Sequence, residues 1–315
     1  MMHDMGKKSL VLGGCGFLGS HVVDALLREG HTVTVFDKEK VDTTNIAHVL
    51  SEIRLIQGDF SNQRNVEDVI GDHEYIVHLI GTTLPQTSTE NPAYDLESNV
   101  IPSLNLLDAA KRSRVKRLVF GSSGGTVYGV AKHLPLSEDH PTNPVSAYGI
   151  SKLMIEKYLQ LYAYHHSIDT VSLRVSNPYG ERQSPFVAQG VVAAFVWKTL
   201  NGEPITIWGD GRIIRDFIYV GDVAEMFIRA IVQDNQDARV FNIGSGVGTS
   251  LNDLLKIVER VIGKKPVVAY TKGRKVDIPA NVLDVSRARQ VFDWQPRVVM
   301  EDGITRVAAF MKGFR

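Results

Sequence analysis

The chain has 315 residues, enough for one or two domains with a substantial core. Lys plus Arg equals Asp plus Glu at 35 each, so no global charge draws it toward nucleic acid or an anionic membrane, and neither is expected as a partner. No stretch approaches the ~18 consecutive apolar residues of a membrane span, since even "GVVAAFVWKTL" is interrupted by Lys198. Cys15 is the only cysteine and has no partner for a disulfide, and the opening "MMHDMGKKSL" lacks the apolar centre of a secretory signal. Both observations lead to the expectation of a reducing, cytoplasmic setting.

In chain order, short β-branched runs alternate with longer amphipathic ones. "KSLVLGG", "TVTVFD", "IRLIQGD", "YIVHLIG", "RLVFGSS" and "TVSLRVS" read as strands. "FLGSHVVDALLREG", "NQRNVEDVIG", "AYDLESNVIPSLNLLDAAKRS" and "AYGISKLMIEKYLQLYAYHH" read as helices, with Gly30 as a C-cap and Pro102 as a kink. This rhythm predicts an α/β, Rossmann-type doubly wound parallel sheet over residues 1–176. Beyond it, glycines and prolines cluster in "NPYGERQSP", "NGEP" and "WGDGR", and a smaller, irregular substrate-binding domain is expected over 177–315. "RDFIYVGDVAEMFIRAI" and "RVFNIGSG", near 216–245, can return a helix and a strand to the main sheet.

"GGCGFLGS" places Gly13, Gly16 and Gly19 between a strand and a helix, where backbone amides and the helix dipole can receive a pyrophosphate. Asp37 ends the second strand, ~20 residues on, and a carboxylate there accepts from ribose hydroxyls while repelling a 2′-phosphate, which favours NAD over NADP. Asp59 stands after the third strand and suits either the adenine edge or the capping of its own turn. Upstream of the fourth helix, Ser122 and Ser123 fall at the carboxyl edge of a strand, the ligand edge of open α/β sheets, although SSGG also makes an ordinary tight turn. Tyr148 and Lys152 stand at i and i+4 on the helix itself. An ammonium beside a phenol, helped by an oxidised nicotinamide, can bring the phenol from ~10 toward ~7 and make it a general base. No metal site is expected.

These residues resemble the extended short-chain dehydrogenase/reductases, and within them the nucleotide-sugar 4-epimerases. The likeness runs through "GGCGFLGSHVVDALL", "HLIGTT", "NVIPSLNLLDAA", "VYG", "SAYGISKLMIE", "RVSNPYGERQ", "WGDGRIIRDFIYVGDVA" and "VLDVSRARQVFDWQP". The resemblance implies Tyr148 as base, Lys152 as its partner and ribose ligand, and a hydroxyl before VYG as third member. Gly124 stands where the commoner pattern has serine, and the hydroxyl-Gly-Gly variant nominates Ser123, with Ser122 as runner-up. It further implies cofactor contacts from Phe17, Leu18, Phe60, Leu79, Gly81 and Asn99. Substrate contacts are implied for Thr83, Asn177, Arg215, Arg274 and Asn281, although packing accounts for His78, Thr82, Thr83 and Asn99 nearly as well. Without the resemblance, Arg215 and Asp216 read as a surface ion pair. Asn281, smaller than the tyrosine of strict hexose enzymes, implies room for an N-acetyl group. The implied activity is NAD-dependent C4 epimerisation of a nucleotide sugar, in a homodimer formed through the helices starting near Asn91 and Ser146. A 4,6-dehydratase is disfavoured because Gly124 and Gly125 replace its acidic pair. A 4-ketoreductase, another epimerase or a non-catalytic dinucleotide sensor are the alternatives.

Overall fold

The computed structural model describes residues 7–166, 168–187, 189–233, 239–273 and 278–313. The chain divides into two compact units, one of Met1–Val127, Ser146–Arg174 and Ala224–Phe241, the other of Tyr128–Val145, Val175–Val223 and Asn242–Arg315.

The first unit opens with strand β1 (Lys8–Leu12), helix α1 (Phe17–Arg28) and β2 (Thr32–Asp37). The chain leaves α1 through Gly30 at φ +77°, with Gly30 N donating to Leu27 O and His31 N to Leu26 O. That paired closure is a Schellman motif, and the left-handed conformation is why glycine stands there. β3 (Arg54–Gln57), α2 (Gln63–Ile70) and β4 (Tyr75–His78) follow.

Next come short helices α3 (Pro85–Glu90) and α4 (Pro92–Asp95), a π-helical turn over Leu96–Val100, and α5 (Ile101–Ala110). The sequence suggests one helix kinked at Pro102. The distortion falls one turn earlier, because proline at the start of α5 supplies no amide for a bond to the preceding turn, and the wider π turn absorbs that loss. β5 (Arg117–Ser123), the long α6 (Ala147–His166) and β6 (Asp169–Val175) complete the alternation.

The chain then forms β7 (Asn177–Tyr179), α7 (Val191–Asn201), β8 (Pro204–Trp208), β9 (Ile214–Tyr219), α8 (Val220–Val232) and β10 (Val240–Ile243). β11 (Gly248–Ser250), α9 (Leu251–Ile262), β12 (Val267–Thr271), β13 (Ala280–Asn281), α10 (Ser286–Phe292) and α11 (Met300–Lys312) close it.

Among the described residues a seven-stranded sheet runs β10-β6-β5-β4-β1-β2-β3. The chain moves outward from β1 through β2 and β3, then resumes on the other side with β4, so the direction reverses between β1 and β4. At such a switch point the loops at the carboxyl ends diverge and leave a crevice. The strands are buried on both faces, as parallel strands covered by helices must be: Leu10, Val11, Leu12, Ile76, Val77, Leu118 and Val119 are all 0 % exposed. The second unit carries a four-stranded sheet, β11-β9-β13 with β7 also on β9, and a β12-β8 pair.

Candidate active site

The glycine loop follows β1 directly. Gly13 has φ +85°, and a Cβ on Gly19 would lie 2.1 Å from Gly13 O, so the loop and the first turn of α1 touch through atoms that a side chain would displace. Gly16 is the exposed N-cap of α1, and the half-buried Phe17 and Leu18 begin the helix. Asp37 reaches the same loop from β2: one carboxylate oxygen accepts Cys15 N at 3.0 Å and the other Lys38 N at 2.9 Å. With Asp37 beside it, Cys15 is an unreactive thiol, pushed up to about 12 by burial first and by that carboxylate second. A cradle closed to side chains, a helix N-terminus and a strand-end carboxylate together fit the pyrophosphate and ribose of a dinucleotide.

On the other side of the switch point, Leu79 is half-buried and Gly81 exposed, both at the end of β4. Asn99, on the π turn, clamps the loop after them: its Oδ1 accepts Thr82 N at 2.9 Å and its Nδ2 donates to Thr82 Oγ1 at 2.8 Å. Asp59 is exposed and its carboxylate accepts Ser61 N at 2.8 Å, which is the turn-capping geometry. The ring of Phe60 is core, 7 % exposed and tilted against His78 at 5.1 Å.

His78 has a fixed tautomer. Ser103 gives its single proton to Asn99 O at 2.6 Å, so the 2.9 Å contact between Ser103 and His78 runs from Nε2–H to Oγ. Burial holds this neutral ring far from the charged form, at about 3, and the Lys152 charge adds to the effect.

Ser122 and Ser123 end β5 in different environments. Ser122 Oγ donates to Glu156 Oε1 at 2.5 Å, and Glu156, 0 % exposed, is held bidentately by Arg174 with Nη2–Oε2 at 2.7 Å and Nε–Oε1 at 3.0 Å. Ser123 is half-buried, and its hydroxyl makes no hydrogen bond among the described residues. Its carbonyl closes the SSGG turn by accepting Val127 N at 3.2 Å.

Tyr148 and Lys152 share one face of α6, with the Lys152 Nζ 5.6 Å from the centre of the Tyr148 ring. The ammonium donates to Gly121 O at 2.8 Å and lies 4.6 Å from the centre of the Phe120 ring. Burial brings Lys152 down to about 8, opposed by the carboxylates of Asp95 and Glu156. The expectation pairs Lys152 with the positive ring of an oxidised nicotinamide, and in the chain by itself the phenol does not approach ~7. Burial, and after it the Asp95 charge, push Tyr148 up to about 12. A desolvated phenol resists ionisation, and the nearest ammonium is turned to a backbone carbonyl.

The second unit carries Asn177, Arg215 and Asn281. Asn177 Nδ2 donates to Asp216 O at 3.0 Å, and Arg215 Nη1 to Ile214 O and Ile278 O at 2.9 and 2.8 Å. Asn281, 1 % exposed, stands beside Arg215 in the β13–β9 register. Asp216 is no surface ion-pair partner: it is 0 % exposed and accepts Ser245 N and Oγ at 2.7 Å each and Leu283 N at 3.1 Å. A carboxylate at the centre of a small sheet is the acceptor that its neighbouring loops require. Trp208, Gly209, Asp210, Arg212, Gly273 and Pro279 line a concavity of about 260 Å³, which sequence reasoning did not pick out. Arg274 lies outside the described residues. Asp95 and Ser151 were not picked out from the sequence either; Ser151 Oγ, on the Tyr148 helix, donates to the Asp95 carboxylate at 2.5 Å.

A glycine cradle on a doubly wound parallel sheet, an acidic end to β2 and a Tyr/Lys pair behind a serine-bearing strand define a dinucleotide-dependent enzyme of the short-chain dehydrogenase/reductase type. The model of the NAD dependent epimerase/dehydratase family matches residues 9–244, and the chain belongs to that family. It is 33% identical over 310 residues to the UDP-glucose 4-epimerase of Mycolicibacterium smegmatis, covering 97% of this chain and 98% of that protein. The UDP-glucose 4-epimerase of Thermotoga maritima, solved with UDP-glucose, superposes with TM-score 0.92 at 34% identity, over 98% of this chain and 99% of that one. The UDP-N-acetylglucosamine 4-epimerase of Methanobrevibacter ruminantium, in complex with UDP-N-acetylmuramic acid, does so with TM-score 0.91 at 29% identity, again over 98% and 99%.

Proposed function

We propose that the protein interconverts the C4 epimers of a UDP-linked hexose or N-acetylhexosamine, using NAD and returning it unchanged. The observation that carries this reading is the conjunction, in one unit, of the closed glycine cradle with Tyr148, Lys152 and an uncommitted Ser123 hydroxyl at the carboxyl edge of the sheet. Gly13, Gly16, Phe17, Leu18 and Gly19 would hold the pyrophosphate, Asp37 the adenosine ribose, and Lys152 the nicotinamide ribose. When bound, NAD supplies a hydride acceptor and a positive ring beside the phenol.

The chain's own part is proton handling and orientation. Tyr148 Oη takes the proton of the sugar 4-hydroxyl while Ser123 Oγ holds that oxygen. Lys152, kept charged by Asp95 and Glu156, stabilises the phenolate. The 4-keto sugar remains anchored through its diphosphate, with Asn177, Arg215 and Arg274 as the assigned contacts, and turns to present its other face. Tyr148 then returns the proton to the opposite epimer. Asn281 is assigned to the sugar's C2 substituent, with N-acetylhexosamines accepted.

The test is incubation with UDP-glucose and UDP-N-acetylglucosamine, reading the C4 epimer by proton NMR. Tyr148→Phe should lose turnover by roughly 10²–10⁴-fold while retaining NAD. A fully active Phe variant contradicts the assignment.

A cytoplasmic homodimer completes the reading. Among the described residues no helix is long and apolar enough to cross a membrane. On α6, Ile150, Leu161 and Tyr164 are 48, 47 and 85 % exposed, and on the neighbouring helical segment Tyr94 and Ile101 are 50 and 45 % exposed. Apolar surface of this extent on two adjacent helices suits a second copy of the chain. Leu161→Glu with Tyr164→Glu should yield a monomer by light scattering.

A further inference from the structure

Asp95 closes α4 and is 1 % exposed. Three donors converge on its carboxylate: Thr83 Oγ1 from the loop after β4, Ser151 Oγ from α6 at 2.5 Å, and Asn99 Nδ2 from the π turn at 3.3 Å. The proton handling described above makes no direct use of it. Yet it determines what two of the assigned residues can do.

Thr83 has one hydroxyl proton, and Asp95 receives it. Toward a ligand Thr83 Oγ1 can therefore only accept, so it selects a group with a proton to give, such as a sugar hydroxyl or an amide N–H. Asn99, four residues after Asp95, clamps Thr82 from the other side. Carboxylate and amide thus hold the Thr82–Thr83 loop in one orientation across the π turn.

The buried charges point to the same residue. Lys152 is 8 % and Glu156 0 % exposed, both on α6. Glu156 is answered by Arg174 in the bidentate pair. Of the two carboxylates that act on Lys152, Asp95 is the one without a guanidinium partner, and Ser151 ties it to the adjoining position of the same helix at 2.5 Å. A buried ion without a counter-ion is costly, and Asp95 removes that cost.

We propose that Asp95 is a positioning residue of the active site: it is the counter-charge of Lys152, and it fixes Thr83 as an obligate hydrogen-bond acceptor toward the sugar. The second half rests on the epimerase reading; the first does not. One consequence is that Asp95 opposes a phenolate at Tyr148, so the base forms only where a further positive charge joins Lys152. The charged and titratable groups facing this pair are Asp95 on α4, which acts on both Tyr148 and Lys152, and, toward Lys152, Glu156 on α6 with its partner Arg174 on β6 and His78 on β4.

The experiment follows the Cε NMR signal of Lys152 in NAD-loaded protein, identified as the lysine resonance missing from Lys152→Met. In Asp95→Asn its titration midpoint should fall by about one pH unit, a tenfold loss of ammonium relative to free amine at fixed pH. Asp95→Ser is the second neutral variant should the amide fail to fold. An unmoved midpoint in the folded variant overturns the counter-charge role, whether or not any sugar is epimerised. A moved midpoint in a protein that epimerises none of the sugars upholds it and sinks only the epimerase reading. For Thr83, the Val variant should raise KM for the UDP-sugar about tenfold, more than it lowers kcat, and Thr83→Ser should restore it. An unchanged KM in Thr83→Val overturns the orienting role.

Discussion

Ser122 and Ser123 are adjacent in the chain but should separate function from stability. Ser122→Ala removes the 2.5 Å bond to Glu156 and leaves a fully buried carboxylate with Arg174 alone. A hydrogen bond to a charged, buried group contributes about 1.5–3 kcal/mol. Over 315 residues, unfolding entropy near 2.1 cal/mol/K per residue converts 2 kcal/mol into a fall in Tm of about 3 °C. Turnover should stay within a few-fold of wild type. Ser123→Ala removes a hydroxyl that no described residue uses, so Tm should hold within about 1 °C while kcat drops roughly 10²-fold, the size of a lost oxyanion or proton-holding contact. Differential scanning calorimetry and initial rates on the same preparations read both quantities. If Ser122→Ala loses turnover and Ser123→Ala does not, the assignment of the catalytic hydroxyl is reversed.

Gly19→Ala should abolish NAD retention, because its Cβ would lie 2.1 Å from Gly13 O; NAD bound at wild-type affinity, measured by calorimetry, would refute the cradle. Arg174→Met should destabilise by about 3–5 kcal/mol in urea unfolding, since it strands Glu156 in the interior, whereas a loss below about 1 kcal/mol would show that the pair is dispensable. His78 makes a pH-dependent contribution whose sign is fixed by its depressed pKa: the unfolded ring binds a proton near 6.5 and the folded ring only near 3. Stability is therefore present above about 6.5 and is lost as the pH falls toward 3, by an amount on the order of 4 kcal/mol. Acid unfolding of His78→Phe should lose that component, and an identical profile would refute it.

The strand and helix alternation was legible because a parallel sheet covered on both faces demands apolar runs, and the glycine loop because Gly13 and Gly19 occupy places that no side chain fits. The Tyr148/Lys152 spacing was legible for the same local reason, as i and i+4 share a helix face. The sense in which Lys152 acts was not. Periodicity brings an ammonium near a phenol but does not say that it donates to Gly121 O, or that a carboxylate from α4 accepts from Ser151 beside it. Asp216 misled in a similar way: beside Arg215 in sequence it resembles half of a surface pair, and only the strands around β9 show it enclosed. Asp59 was ambiguous, and its own turn claims the carboxylate. Asp95 left the faintest signal, because its donors come from positions 83, 99 and 151, which only the tertiary fold brings together.

The most direct measurement uses UDP-glucose carrying deuterium at C4, incubated with the NAD-loaded protein in ordinary water. The account predicts that UDP-galactose forms, that the deuterium stays at C4 because a bound NAD would be a hydride acceptor closed to exchange with water, and that Tyr148→Phe forms almost none. Epimer with hydrogen in place of deuterium, or no epimer from either this sugar or its N-acetyl counterpart, would contradict it.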